Sequence, residues 1–546
     1  MHLSIWCSKI QDVNLRKEKK IKMQSQEKNI VTTKNNKKQI DKYTIILITI
    51  MLVGIITRTI GLGKIPIGIN VDEAGTMYDA YTIANYGTDR FGNAYPVYFI
   101  NYGGGQSALY TYLSALLIKI CGFSLTVIRI PALIFSILYM IFGFLLTKEF
   151  KNKKLAILVE FVIVICPWHF MQSRWALDCN LLSSMLLISI YILTKAVKTK
   201  SKAIYLLAGI LFGITLYTYA LSYIIIPILL LLLLVYMLYT KKVKISDIII
   251  FGIPLGLLAI PLILSLLVNY GIIEEIKLPF MSILKMWVFR SGEVNISNIF
   301  HNIVILFKSM FAFDNNDYNS FPIFGTLYYI SIPFALFGFI DSVKHIMVHI
   351  KEKRLTLDII MLANFISVCV CNILVESGIN RINAIYISLI YYIAVGIMYV
   401  SENRDKIFKF IIAIYIIFYI AFLAYYFGVY GKENTNLSFN NDAVEVVKYI
   451  EQNEKFDGKI INFRVKAIQT YIYTLIGNKT SPQEFMDTAL IQDGVVWSYG
   501  RYLFYNNTIA DNMIYVIDND ENSKNVLIER GFKVEEYNEN IDILYK

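Results

Sequence analysis

Charge is scarce in this chain. Lys, Arg, Asp and Glu make up 17% of its 546 residues, against 56% hydrophobic. A soluble protein cannot hide that much apolar surface, so the composition excludes a soluble globular domain and implies a polytopic membrane protein. Cysteine is sparse as well. The six are Cys7, Cys121, Cys166, Cys179, Cys369 and Cys371, and none falls in the polar segments 269–324 or 429–546. That argues against a disulfide framework and against a cysteine zinc site. Cys369 and Cys371 sit inside an apolar run and read as membrane packing. A glycine-rich nucleotide loop is missing, so no nucleotide cofactor is expected. Residues 1–42 are too long and too charged for a secretory signal peptide, and no small-residue cleavage site follows the first apolar run.

What is present in quantity is apolar sequence in runs of spanning length. These lie at 43–60, 127–147, 155–172, 180–197, 203–220, 222–240, 247–268, 325–346, 357–375, 384–400 and 407–428. A further stretch, 106–122, is apolar but shorter and carries Lys119. Charge decides whether it spans. The first 42 residues hold eleven Lys/Arg against four acids, so they are expected in the cytoplasm. With 106–122 outside the count, the basic loops 148–154, 195–203, 241–244, 344–354 and 402–406 share that side; with it spanning, all of them move out. The positive-inside rule therefore favours an interfacial or re-entrant helix at 106–122. The same rule accounts for the net charge of +11, and no nucleic-acid partner is expected.

The expected fold is thus an α-helical membrane protein of about eleven spans. A basic cytoplasmic segment covers 1–42 and a transmembrane domain 43–428, with outer loops 61–126 and 269–324. Residues 429–546 change character. Strand-like runs at 458–465, 512–518 and 541–545 alternate with helical patterns at 441–452 and 522–531, which predicts a small extracytoplasmic α/β domain. Plasma membrane, with the N-terminus in and the C-terminus out, is the expected location.

The few acids cluster outside under this topology. "INVDEAGTMYDA" opens the first outer loop with Asp72 and Glu73. Asp72 and Asp79 share a helix face, whereas Glu73 points elsewhere. Asp72 as a helix cap and Glu73 in its first turn is the bland account of the pair. "QSRWALDCN" places Arg174 and Asp178 at an i, i+4 spacing that suits mutual neutralisation. Yet ionisable groups at membrane helix ends facing a bundle are functional candidates. "ESGINRIN" offers Arg381 as a phosphate ligand or as a snorkelling arginine. Asp314 and Asp317, in "DNNDYN", lack the glycine and distal Glu of a calcium loop and read as turn chemistry.

The order of these parts resembles the GT-C superfamily of membrane glycosyltransferases, in particular its protein O-mannosyltransferase and aminoarabinose-transferase branch (glycosyltransferase family 39-like). The parts are a first membrane helix, an outer loop opening Asp-Glu, an interfacial helix, then "LTVIRIPALIFSILYMIFGFLLTKEF" and "SRWALDCNLL". The resemblance is clearest over 43–240, weaker through 320–400, and does not extend to the C-terminal domain. It implies transfer of a sugar, with inversion, from a polyprenyl-phosphate carrier to an extracytoplasmic acceptor: a cell-wall glycan, a lipid-linked glycan or a protein. It implies a catalytic role for Asp72, with Glu73 beside it. Arg174, Asp178, Arg381 and Gln106 are the expected contacts to substrate or lipid phosphate. Asp72 and Asp178 are the expected ligands of a divalent metal ion. The interfacial helix departs from the proline-rich start of relatives, reading "GGGQSALY". A base is needed for the acceptor hydroxyl, and positive charge or metal for the departing phosphate. Two rivals stand beside this reading. One is a polymerase or ligase using diphosphate-linked lipid oligosaccharides, which leans on several arginines in a large outer loop. The other is a transporter or flippase, which predicts charges at mid-membrane and no new glycosidic bond.

Overall fold

A computed structural model describes residues 41–546 apart from 102–103, 294–295, 312–318, 432–438, 441, 466, 468, 507 and 520. Asp314 and Asp317 lie outside the described residues. Residues 50–546 form one compact unit. Of the N-terminal unit, residues 41–49 are described and begin the first helix, Lys42–Thr59.

Each of the eleven apolar runs folds as a helix. After the first come Leu125–Phe150, Lys153–Ile165, Leu182–Thr199, Lys202–Thr215 and Ser222–Tyr239. Then follow Ile245–Asn269, Ser331–Lys351, Leu357–Leu374, Tyr386–Val400 and Asp405–Tyr425. Among the described residues, nine helices are long and apolar enough to cross a bilayer. The other two are Lys153–Ile165 and Lys202–Thr215, with 13 and 14 residues. The first of these is cut short because Cys166 precedes Pro167 and takes an extended backbone, as the residue before a proline tends to. Pro167 then opens a separate short helix, Pro167–Gln172, at the position a proline tolerates best. The stretch 106–122 holds the 14-residue helix Ala108–Cys121. The chain is a multi-pass, mainly helical membrane protein.

The C-terminal region is built on a seven-stranded sheet. Its order is Lys533–Glu536, Ile541–Tyr545, Met513–Asp518, Ile460–Arg464, Tyr502–Leu503, Val495–Tyr499, Leu490–Gln492. Ile460–Arg464 pairs in parallel with both of its neighbours, and the remaining pairs are antiparallel. Helix Asp442–Glu451 buries Ala443, Val446, Val447 and Ile450, the 3.6-period stripe that "NDAVEVVKYI" writes into the sequence. Each such apolar side chain contributes roughly 1.5–3 kcal/mol when fully buried.

This sheet region shares its core with the first loop helix, Val71–Tyr86, whose Ala74, Met77, Tyr78 and Ile83 join the same apolar cluster. Polar ties reinforce the packing. The Tyr78 hydroxyl donates to the Thr480 carbonyl. Arg90 joins Asp79 through two side-chain bonds, of 3.0 and 2.7 Å, and donates to the Tyr471 hydroxyl at 3.1 Å. Ile69 and Asn440 exchange backbone bonds of 3.0 Å. Asp79 is therefore a structural anchor on the helix face it shares with Asp72.

Candidate active site

The cavity lies where the helix bundle meets the loops, with a volume of about 1170 Å³. It brings together residues far apart in sequence: Asp72, Gln106, Asp178 and Arg381 all line it, with Asn440 and Tyr473 from the C-terminal region. Four of the six residues singled out in the sequence thus face one space.

Local structure explains how Asp72 reaches it. The helix Val71–Tyr86 is capped by Asn70, whose side chain accepts from the Asp72 amide. Asn70, not Asp72, takes the capping role. Asp72 sits in the first turn with its carboxylate on the cavity side. One residue on, a turn of about 100° sends Glu73 into the core. Glu73 does not reach the cavity, which corrects its placement beside the catalytic aspartate. It is fully buried against Arg129, with Nε donating to Oε1 at 2.8 Å and Nη2 to Oε2 at 2.9 Å. The Ala176 amide donates to the same Oε1 at 2.8 Å. Arg129 spends its remaining donors on the carbonyls of Leu62, Pro66 and Gly68. One carboxylate therefore pins the segment before Asp72 to the segment before Asp178.

Arg174 does not reach the cavity either, which corrects its reading as a phosphate ligand and as a partner of Asp178. The chain from Ser173 to Leu177 is not helical, so the i, i+4 spacing brings no contact. Arg174 is buried and donates to the carbonyls of Thr57, Arg58, Ile60 and Ile65 and to the Tyr426 hydroxyl. With its donors engaged on backbone oxygens, it holds the end of the first helix and the turn after it.

Asp178 opens a short 3-10 helix and is buried, 6% exposed. Its carboxylate accepts from the Ser107 amide at 2.9 Å and from the Cys179 amide at 2.7 Å. Ser107 ends a β-hairpin, Tyr98–Asn101 with Gly104–Ser107. The other end of this hairpin serves Asp72. Asn101 Nδ2 donates to Asp72 Oδ1 at 3.2 Å and to Gln106 Oε1 at 3.3 Å, and Gln106 Nε2 donates to the Asp72 carbonyl at 3.3 Å. The hairpin is therefore a bridge between the two acids. Gly105 is required there: a Cβ on it would lie 1.8 Å from the Tyr98 ring across the strand pair.

Arg381 stands on the far wall. Nη1 donates to the Glu376 carbonyl at 2.9 Å, and Nη2 pairs with Glu293 at 3.1 Å. Among the described lining residues there are four carboxylates (Asp72, Asp178, Glu293 and Glu376) and one guanidinium. Among the described residues no group of three or more His, Cys, Asp or Glu side chains is placed to hold a metal. A hard cation of the magnesium kind takes one or two carboxylates and completes its shell with water and substrate phosphate; Asp72 and Asp178 are the lining carboxylates that would hold one. Sequence reasoning missed Arg129 and Asn101. A lone arginine inside the apolar run "LTVIRIPALIF" was the available signal for the first.

Comparison with known proteins follows the same lines. The family described as dolichyl-phosphate-mannose-protein mannosyltransferase matches residues 106–268. The crystal structure of ArnT from Cupriavidus metallidurans bound to undecaprenyl phosphate superposes with a TM-score of 0.53 at 10% identity, covering 91% of this chain and 97% of that one. The chain has the GT-C fold. The apo form of the same ArnT gives 0.52 at 10% identity over the same shares, so the GT-C match does not depend on the ligand state. The oligosaccharyltransferase of Archaeoglobus fulgidus, in complex with zinc and sulfate, gives 0.47 at 13% identity, over 79% of this chain and 61% of that one. No curated protein matches by sequence. The family match begins at Gln106 and includes Arg129 and Asp178, so it covers the hairpin's last residues and the second acid of the cavity.

Proposed function

We propose that this chain is a membrane glycosyltransferase that moves a sugar from a polyprenyl-phosphate carrier to an acceptor hydroxyl on the extracytoplasmic side. The observation that carries the reading is the convergence of Asp72 and Asp178 on one cavity, joined by a single hairpin. The GT-C fold supports it, as do the carrier lipids named for the matching family and for ArnT.

In this mechanism Asp72 takes the proton of the acceptor hydroxyl as its oxygen attacks the anomeric carbon. The bond from that carbon to the phosphate oxygen breaks, and its electron pair leaves with the lipid phosphate. In-line displacement inverts the anomeric centre. Asn101 and Gln106 fix the orientation of Asp72. Arg381 exchanges Glu293 for the departing phosphate and stabilises the charge that develops there. Asp72 and Asp178 would hold a divalent ion, which when bound supplies positive charge to the phosphate. The single guanidinium among the described lining residues favours a monophosphate carrier over a diphosphate one.

The test is Asp72→Asn in proteoliposomes, with sugar transfer measured from a radiolabelled polyprenyl-phosphate donor. Loss of a general base lowers the rate by about 10²–10⁴-fold. A rate equal to that of the unsubstituted protein would remove Asp72 from the chemistry.

A further inference from the structure

The helix Ile299–Phe311 turns its amphipathic faces the wrong way for water. Phe300, Val304 and Phe307 recur at i, i+4 and i+7 and are 85%, 53% and 64% exposed. The buried face carries the polar Asn302 and Ser309 together with Leu306 and Met310. Two polar bonds tie this buried face to the bundle. Asn302 Nδ2 donates to the Ile373 carbonyl at 3.0 Å, and the Ser309 carbonyl accepts from the Tyr386 hydroxyl at 3.0 Å. A helix in water places its apolar stripe inward. This one is stable with its stripe outward if the medium outside is hydrocarbon.

Its position supplies that medium. Ile373 lies in the last turn of the spanning helix Leu357–Leu374, and Tyr386 opens Tyr386–Val400. The helix Ile299–Phe311 therefore rests at the level where two spans end, on the cavity end of the bundle. A third span also turns most of its surface outward. Helix Ile245–Asn269 buries only Phe251, Leu262, Ser265 and Val268. Beyond its end, Tyr270, Ile272, Phe280 and Val288 remain exposed. Phe280 tops the small hairpin formed by Ile276–Leu278 and Met281–Ile283. His301 and Lys308 lie together along one side of the helix stripe, a polar margin beside an apolar face, as on an element lying in the headgroup boundary.

We infer that the hairpin 276–283 and the helix Ile299–Phe311 together form a collar seated in the leaflet on the cavity side, with bilayer lipid as its partner. Tyr270 and Val288 belong both to this apolar surface and to the cavity lining. One rim of the cavity therefore stands in lipid rather than in water. This goes beyond the proposed reaction and does not depend on it.

The full-length protein in nanodiscs of phosphatidylethanolamine and phosphatidylglycerol tests the collar. Nitroxide labels are placed singly through Phe300→Cys, Val304→Cys and Phe307→Cys, with the signal of the labelled unsubstituted protein subtracted. Tyr505→Cys, half-exposed in the C-terminal region, serves as the aqueous reference. Oxygen collision rates that exceed those of a water-soluble nickel complex several-fold at the three helix sites, with the reverse at position 505, support the collar. Dominant collision with the nickel complex at the helix sites overturns it, because the face is then in water. Access by neither reagent also overturns it, because another protein or a second copy then covers the face. The three sites are independent, so a variant that fails to fold leaves two others to decide.

Discussion

Replacing Gly75 with alanine separates catalytic geometry from stability. Gly75 lies on the same helix as Asp72. A Cβ there would stand 2.5 Å from Asn101 Oδ1 and 2.9 Å from Arg90 Nη2. Ordinary van der Waals contact begins near 3.4 Å, so the shortfall against Asn101 is 3.4 − 2.5, or about 0.9 Å. Arg90 cannot give, because Asp79 and Tyr471 hold its guanidinium in the core. Asn101 must move, and the 3.2 Å bond it donates to Asp72 lengthens beyond hydrogen-bonding range. Misplacing a positioned catalytic group by about 1 Å costs roughly 10²-fold in rate. The stability terms nearly cancel. Alanine is favoured over glycine within a helix by about 1 kcal/mol, against an overpacking cost of about 1–3 kcal/mol. The expected outcome is a protein that melts within a few degrees of the unsubstituted one yet transfers sugar about 100-fold more slowly. Initial rates and melting temperature in the same detergent preparation measure both. Gly252→Ala is the control, since nothing lies within 4 Å of its added Cβ. A Gly75→Ala enzyme of normal rate would refute the claim that Asn101 orients Asp72.

The buried pair behaves in the opposite sense. Glu73→Gln leaves Arg129 charged without its counter-ion in the core, a change that costs about 3–5 kcal/mol, so a melting temperature well below that of Asp72→Asn is expected. Asp89, outside the membrane spans, has its carboxyl pushed up to about 7 by burial first and by the charge of Asp79 second. A free aspartate titrates near pH 4, so the folded chain binds this proton more tightly than the unfolded one. Its contribution to stability is complete below about pH 4 and is lost as pH rises through about 7. The pH dependence of melting over that window should flatten in Asp89→Asn. Chelation with EDTA should abolish sugar transfer and added magnesium or manganese should restore it; full activity in chelator would exclude the ion proposed between Asp72 and Asp178.

Much of the membrane architecture was legible because spanning length obeys a strong constraint. All eleven apolar runs reappear as helices, eight within three residues of their expected bounds and three displaced by five to seven at one end or both. So do the strands at Ile460–Arg464, Met513–Asp518 and Ile541–Tyr545. The site was legible in part. Asp72, Gln106, Asp178 and Arg381 were marked by charge or polarity at the ends of apolar runs. The separate fates of Asp72 and Glu73 follow from helix geometry, but which of the two faces the cavity depends on where Arg129 sits. Arg174 looked like a ligand because its true partners are backbone carbonyls, which no side-chain pattern records. The hairpin at 98–107 was hidden because "YGGGQ" carries no alternation. Its order comes from the Tyr98 ring closing over Gly105 and from the two acids at its ends.

The cavity draws its walls from segments far apart in the chain. Asp72 follows the first helix, and Asn440 and Tyr473 are synthesised after Asp405–Tyr425. A ribosome that has delivered all eleven of these helices has therefore still not completed the cavity. The enclosure around Asp72 closes only when helix Tyr471–Asn478 has emerged and docked on Val71–Tyr86. A chain truncated after its last span would insert in the membrane and carry both acids, but its cavity would lack that wall and stand open to water.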